Sequence, residues 1–171
     1  GFLGLIFVYF APRLKQINAH KIIGLVLTFL LAFNVVTNFG TYSQPEDATI
    51  IKEGVLKELE NRKVDFEDDD LAISAIESYK KDIDQRLNIY SFKKLSLYRI
   101  IGCIVMLIGV VFLRMKKGTG LHLYFAGGFF TVITGFYAMG GGILGWIFNL
   151  WYIMLLLVFG AYFFIKRTEL S

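Results

Sequence analysis

The sequence contains little cysteine, proline or histidine, and its apolar stretches carry no acidic residue. The single cysteine, Cys103, excludes an intrachain disulfide and a cysteine-based metal cluster. With two histidines and no Ser/His/Asp combination, we expect no enzyme activity, no metal and no cofactor. Buried carboxylates are typical of proton relays and ion-coupled carriers, so their absence from the apolar stretches argues against both classes.

Apolar residues are what the sequence has in excess. Of its 171 residues, 56% are hydrophobic and 19% are charged, against about 45–50% and about 25% in soluble domains. Four apolar runs approach or exceed the roughly 20 residues that a helix needs to cross a membrane: 22–40, 95–113, 121–139 and 143–165. The sequence therefore predicts an all-α integral membrane protein, a four-transmembrane-helix bundle.

The basic residues that flank these runs predict their orientation. Eight Lys and Arg residues lie in the three segments that precede the first run, join the second to the third and follow the fourth, with one acid, Glu169. Because cytoplasmic loops are enriched in Lys and Arg, we expect the N-terminal segment and the 166–171 tail to be cytoplasmic and residues 41–94 to be extracytoplasmic. These flanks account for the net charge of +4 without nucleic acid as a partner. We expect the location to be the bacterial inner (plasma) membrane.

Residues 1–21 do not predict a fifth span. Their apolar part, residues 1–11, would reach only about 16 Å as a helix, and a basic linker follows it. We expect an interfacial segment or one packed on a partner chain, with the remnant of a trimmed span as the alternative.

Residues 41–94 have the pattern of a helical hairpin. The SQPE sequence of residues 43–46 is typical of a capping box, with Ser43 as the cap and Glu46 three residues later. Two stretches then show apolar residues at helical spacing, and acids precede bases by four positions in both, as in Glu58 and Arg62. We therefore expect two amphipathic helices.

Five carboxylates within six residues mark the tip of this hairpin: Asp65, Glu67, Asp68, Asp69 and Asp70. A calcium-binding EF-hand loop would need a central glycine, which this stretch lacks. Our main interpretation is that aspartates cap the second helix, because their oxygens accept hydrogen bonds from its free N–H groups. A docking surface for a basic partner and loose divalent-cation binding are the alternatives.

Small residues recur every fourth position on two of the predicted spans, and a further pair opens the fourth. Such ridges let membrane helices approach closely. We assign them to helix packing, within this chain or against another one: Gly24, Thr28 and Ala32, then Gly127, Thr131 and Gly135, and finally Gly141 with Gly145.

Few polar residues lie inside the predicted spans. Asn34, Asn38 and Asn149 are expected to form interhelical hydrogen bonds, which side-chain amides need in lipid; a substrate path is the alternative. Arg99 lies near one end of the second run, where its long side chain can reach the membrane interface.

Together these features favour a non-catalytic integral membrane subunit, a scaffold or assembly factor of a larger membrane protein complex. Its expected partners are the lipid bilayer and other integral membrane subunits. The alternative is a small transporter or channel with a polar path near Asn34, Asn38 and Asn149. A third alternative is a haem-binding electron-transfer subunit, because His20 and His122 share one depth in the predicted topology, as two axial ligands would.

Overall fold

The computed structural model describes residues 19–169. The expectations for the apolar segment 1–11, for the basic linker as far as residue 18 and for the last two residues lie outside this range. Residues 19–169 are almost entirely helical and contain no β-strand.

Six helices follow one another along the described chain, and the last continues through a π-helical turn. Their bounds are α1 Ala19–Ser43, α2 Asp47–Val64, α3 Asp70–Arg86, α4 Ile89–Arg114, α5 Thr119–Met139 and α6 Ile143–Met154. The π-helical turn Leu155–Phe159 and the short helix α7, Gly160–Ile165, extend α6, and a 3-10 turn covers Arg167–Glu169.

Four of these elements are long and apolar enough to cross a membrane: α1, α4, α5 and the continuous helix Ile143–Ile165, called the fourth span below. The prediction of an all-helical integral membrane protein with four candidate spans is confirmed. α1 and α4 extend beyond the apolar runs 22–40 and 95–113, because the polar residues at their ends continue the helical hydrogen bonding.

The predicted capping box at residues 43–46 is wrong. α1 continues to Ser43, whose Oγ donates to the carbonyl of Phe39 at 2.9 Å. α2 begins only at Asp47, and Glu46 at its N-cap position makes no side-chain capping bond. A serine that bonds back to the preceding turn is no longer free to cap the next helix.

Exposed ion pairs join α2 to α3. Lys63 Nζ lies 2.5 Å from Glu77 Oε1, and Lys80 pairs with Glu60. The hydrogen bond from Lys80 holds the pKa of Glu60 below its usual value, and the hydrogen bond from Lys63 does the same to the pKa of Glu77. Because exposed pairs contribute little stability, we assign them to fixing which residues of the two helices face each other.

α4 lies between α1 and α5 and approaches α5 through glycines. Gly102 and Gly109 of α4 face Gly127 and Gly120 of α5 in antiparallel order. A Cβ atom at Gly127 would lie 2.7 Å from both the Gly102 oxygen and the Met106 nitrogen. In lipid, close van der Waals packing of this kind is a main source of helix association, so these glycines set the separation of the two helices.

The C-terminal end of α3 rests on the turn between α5 and α6. Gly140 in that turn has a φ of +83°, and a Cβ atom there would lie 2.6 Å from the Arg86 guanidinium carbon. Ile83 of α3 belongs to the same buried apolar cluster as Met139 and Leu144, which flank the turn. α3 and the α5–α6 turn therefore lie at the same end of the spans.

Candidate functional site

Polar side chains of α1 and α6 meet in the interior of the spans. Asn34 and Asn38 are 9% and 7% exposed, and Tyr152 is 4% exposed. The Tyr152 hydroxyl donates to Asn34 Oδ1 and accepts from Asn38 Nδ2, both at 3.0 Å. Each asparagine also donates to a carbonyl of its own helix at 2.7 Å, one turn earlier. One hydroxyl therefore ties α1 to α6 by two hydrogen bonds.

Arg99 of α4 brings a positive charge to the same region. Its Nη2 donates to the main-chain carbonyl of Phe148, and its guanidinium carbon lies 4.7 Å from the ring centroid of Tyr152. Arg99 as a whole is half-buried, but its Nε is inaccessible to solvent and has no hydrogen-bond partner. A carbonyl and an aromatic face hold the cation between the helices.

No carboxylate of the spans balances this charge, since none of the four span sequences contains Asp or Glu. An arginine at the centre of a membrane helix costs about 2.5–3.5 kcal/mol on insertion scales. Cation–π contacts of about 0.5–2 kcal/mol each offset part of that cost. Arg99 is thus a half-buried cation that a carbonyl and aromatic rings stabilise, with no carboxylate from the spans as a counter-ion.

Asn149 is fully buried where α6 meets α5. Its Nδ2 donates to the carbonyl of Gly145 at 2.7 Å, and its Oδ1 has no hydrogen-bond partner. A Cβ atom at Gly135 of α5 would lie 2.7 Å from Asn149 Cγ, so the carboxamide fills the space that a side chain at Gly135 would take. Asn149 Oδ1 and Arg99 Nε are a buried acceptor and a buried donor without partners.

We call these five residues the buried polar cluster: Asn34, Asn38, Arg99, Asn149 and Tyr152. Side-chain contacts link four of them, whereas Asn149 faces α5 and is included because of its depth. All five are at a similar depth. At about 1.5 Å per residue, each lies roughly 7–15 Å inside the end of its helix that faces α2 and α3. The cluster joins three of the four spans at one level.

The predicted packing residues of α5 all face its neighbours. Gly127, Thr131 and Gly135 are buried, and Thr131 Oγ1 donates to the Gly127 carbonyl at 2.8 Å. Gly127 and Thr131 contact α4, and Gly135 contacts Asn149 of α6.

The other predicted packing residues divide between inside and outside. Gly24 and Gly145 are buried, and Thr28 is half-buried with its Oγ1 bonded to the Gly24 carbonyl at 2.6 Å. Ala32 is exposed, so this ridge of α1 turns from the inside of the molecule towards its surface. Gly141 is exposed, and a Cβ atom there would meet nothing within 4 Å.

The acidic residues of the α2–α3 turn are all exposed: Asp65, Glu67, Asp68, Asp69 and Asp70. The predicted cap of the second helix is confirmed at Asp69, whose Oδ1 accepts from the amides of Leu71 and Ala72 at 3.0 and 3.1 Å. Within residues 19–169, no three His, Cys, Asp or Glu side chains are placed to hold a metal ion.

The two histidines lie on different helices. His20, near the start of α1, packs with ring centroids 6.0 Å from Tyr162 and 5.7 Å from Phe163 of the fourth span. His122, near the start of α5, is exposed.

Sequence reasoning missed two parts of this region. Nothing in the local sequence of Tyr152 marks it as the partner of Asn34 and Asn38. The glycines of α4 were also missed, although Gly102 and Gly109 are seven residues apart, as are Gly120 and Gly127. That shared spacing was the available signal.

No protein-family model matches the chain, and comparisons with curated proteins and with solved structures find no match either. The fold and the site therefore define its class by themselves: an integral membrane protein with four candidate spans and a buried polar cluster.

Proposed function

We propose that the chain is a non-catalytic integral membrane subunit, a scaffold or assembly factor of a larger membrane protein complex. The observation that carries the proposal is the use made of Asn34, Asn38 and Tyr152. Their side chains form hydrogen bonds to one another and to the backbone. The bonds through the Tyr152 hydroxyl hold α1 against α6. The groups most available for chemistry in the spans thus serve to hold helices together.

The proposal includes a topology. The four spans form a bundle in the bacterial inner membrane, the α2–α3 pair is an extracytoplasmic helical hairpin, and the N- and C-terminal segments are cytoplasmic. Two observations support it. The end of α3 rests on the α5–α6 turn, so both lie at one end of the spans, while the basic α4–α5 connection with Lys116 and Lys117 lies at the other end.

Two surfaces are available to partners under this proposal. The first is the acidic α2–α3 turn, in which Asp65, Glu67, Asp68 and Asp70 are exposed and take no part in the Asp69 cap. The second is the outward part of α1 around Ala32, where a small residue leaves room for a neighbouring membrane helix.

Co-purification tests the role of the acidic turn. The tagged protein is solubilised in a mild detergent, run on native electrophoresis, and its co-migrating chains are identified by mass spectrometry. We expect a complex that the triple variant Asp68→Asn, Asp69→Asn, Asp70→Asn weakens, with the fold intact because asparagine also caps helices. A clean lone monomer for the unaltered protein would contradict the proposed function.

A matched control separates this turn from general loss of acidic charge. The variant Glu46→Gln, Asp47→Asn, Glu53→Gln removes three charges from exposed positions at the opposite end of α2. We expect it to keep the partners. Equal loss in both variants would show that net charge, and not the turn, governs association.

A small transporter or channel is the second candidate, and the unpaired Arg99 Nε and Asn149 Oδ1 favour it. A buried donor and acceptor at one depth could contact a small polar solute or anion in transit. Uptake of chloride and phosphate into proteoliposomes tests this idea. Asn34→Leu with Asn38→Leu should abolish uptake if the asparagines line a path; no uptake by the unaltered protein would remove the candidate.

A further inference from the structure

A cleft of about 310 Å³ lies at the α3-side end of the spans. Its lining comes from the last turn of α1 and the first turns of α4: Tyr42, Tyr90, Lys93, Lys94, Leu97 and Tyr98. It therefore combines two ammonium groups with three phenol rings at the level where apolar helices meet polar connections. That level is where membrane proteins contact lipid headgroups.

The two lysines of the cleft have aromatic neighbours but no counter-ions. Lys93 Nζ lies 5.0 Å from the ring centroid of Tyr42, and Lys94 Nζ lies 4.6 Å from that of Tyr137. Neither lysine belongs to an ion pair within residues 19–169. Along the chain, no acidic residue follows Asp84 until Glu169. The cleft thus contains two ammonium groups that have no salt-bridge partner and keep N–H donors for an anion.

Membrane topology does not account for these lysines. The basic residues that determine orientation lie at the opposite end of the spans, in the α4–α5 connection. Lys93 and Lys94 lie at the end of the spans that carries α2 and α3, where the enrichment in Lys and Arg that marks cytoplasmic loops is not expected. Another cause is therefore needed, and a bound anion provides one.

An apolar strip leads away from the cleft along α4. Its residues are spaced three or four apart and each is about two-fifths exposed: Leu97, Ile101, Ile104, Ile108 and Val111. Leu97 belongs to both the cleft and the strip. A charged recess continuous with an apolar track of this length matches a molecule with a phosphate head and an acyl tail.

We infer that the cleft binds the phosphate headgroup of an anionic glycerophospholipid, whose acyl chain lies along the exposed strip of α4. Lys93 and Lys94 donate to the phosphate oxygens, and the phenol hydroxyls of Tyr42, Tyr90 and Tyr98 are at hand for the glycerol oxygens. The site holds one lipid on the side of the membrane that carries α2 and α3.

Native mass spectrometry and thermal unfolding of the purified full chain test this inference. Phosphatidylglycerol and phosphatidylcholine with the same acyl chains are titrated separately, and inorganic phosphate alone is a third arm. We expect one retained phosphatidylglycerol and a rise in the unfolding temperature with that lipid only. An equal effect of phosphatidylcholine, or of inorganic phosphate alone, would overturn the assignment.

Variants locate the site. Each basic residue near an anionic lipid contributes about fivefold to binding, so Lys93→Gln with Lys94→Gln should weaken phosphatidylglycerol binding about thirtyfold. The single variants should each weaken it about fivefold, which keeps the test decisive if the double variant does not fold. Lys93→Arg with Lys94→Arg should bind as the unaltered protein does.

The matched control removes two lysines from the α4–α5 connection, beyond the other end of α4. Lys116→Gln with Lys117→Gln changes the net charge by the same amount and should keep the retained lipid. Undiminished binding by the Lys93 and Lys94 variants, or equal loss in the control, would refute the site.

Discussion

Tyr152→Phe tests the interhelical lock directly, because it removes one hydroxyl and leaves the ring in place. The ring beneath Arg99 stays, so the change is confined to the bonds with Asn34 Oδ1 and Asn38 Nδ2. At about 0.6 kcal/mol for an average interhelical side-chain hydrogen bond, the two bonds together amount to about 1.2 kcal/mol. We expect the free energy of unfolding to fall by that amount, an eightfold change in the equilibrium constant.

The measurement is reversible unfolding in mixed dodecylmaltoside and dodecylsulfate micelles, followed by far-ultraviolet circular dichroism. Tyr137→Phe is the control, since Tyr137 is 69% exposed and its hydroxyl does not connect buried side chains of two helices. A double-mutant cycle with Asn34→Leu isolates one bond, because Tyr152→Phe should then cost measurably less. A Tyr152→Phe variant as stable as Tyr137→Phe, or a cycle without coupling, would refute the lock.

Three further predictions concern packing, pH and capping. Gly127→Leu should lower the free energy of unfolding by at least about 1–3 kcal/mol, since a side chain there overlaps the backbone of α4. Gly54→Ala should raise the free energy of unfolding by about 0.5–1 kcal/mol, since a Cβ atom at Gly54 meets nothing within 4 Å. Neutral results for both variants in the same micelle titration would contradict the packing prediction. Acid should slightly weaken the association of α2 with α3, because the pKa of Glu60 and of Glu77 is held below 4.5 by their lysine partners. The small stability that these exposed pairs add is complete above about pH 4.5 and is lost as the pH falls through their folded pKa values. A loss of helicity centred near pH 6 would speak against these pairs. Asp69→Ala should cost about 1 kcal/mol of stability while Asp69→Asn costs little, and thermal melts that rank the two in the opposite order would exclude the cap.

The four spans were predictable because lipid imposes one simple requirement on them. A helix that crosses a membrane must be apolar for about 20 residues, and this property can be recognised from a short stretch of sequence alone. Helix ends are less predictable. Ser43 could cap α2 or continue α1, and the outcome depends on whether its hydroxyl bonds backwards to Phe39, which local sequence does not determine.

The buried polar cluster was predictable only in part. Asn34 and Asn38 are conspicuous because an amide in an apolar run needs a partner, but the partner, Tyr152, is 114 residues from Asn38 along the chain. The direction taken by Arg99 depends on the carbonyl of Phe148. Periodicity and composition do not show which residues distant in sequence meet in the fold. These two contacts therefore became visible only in the structure.

The contact between Arg99 and Phe148 also has a consequence for synthesis. The two residues are 49 positions apart, and a ribosome adds about 5–20 residues per second. α4 therefore emerges with its arginine roughly 2–10 seconds before the carbonyl and the ring that stabilise it. During that interval the cation has only water, lipid headgroups and already inserted helices as neighbours, so its enclosure is a late event that the arrival of the fourth span completes.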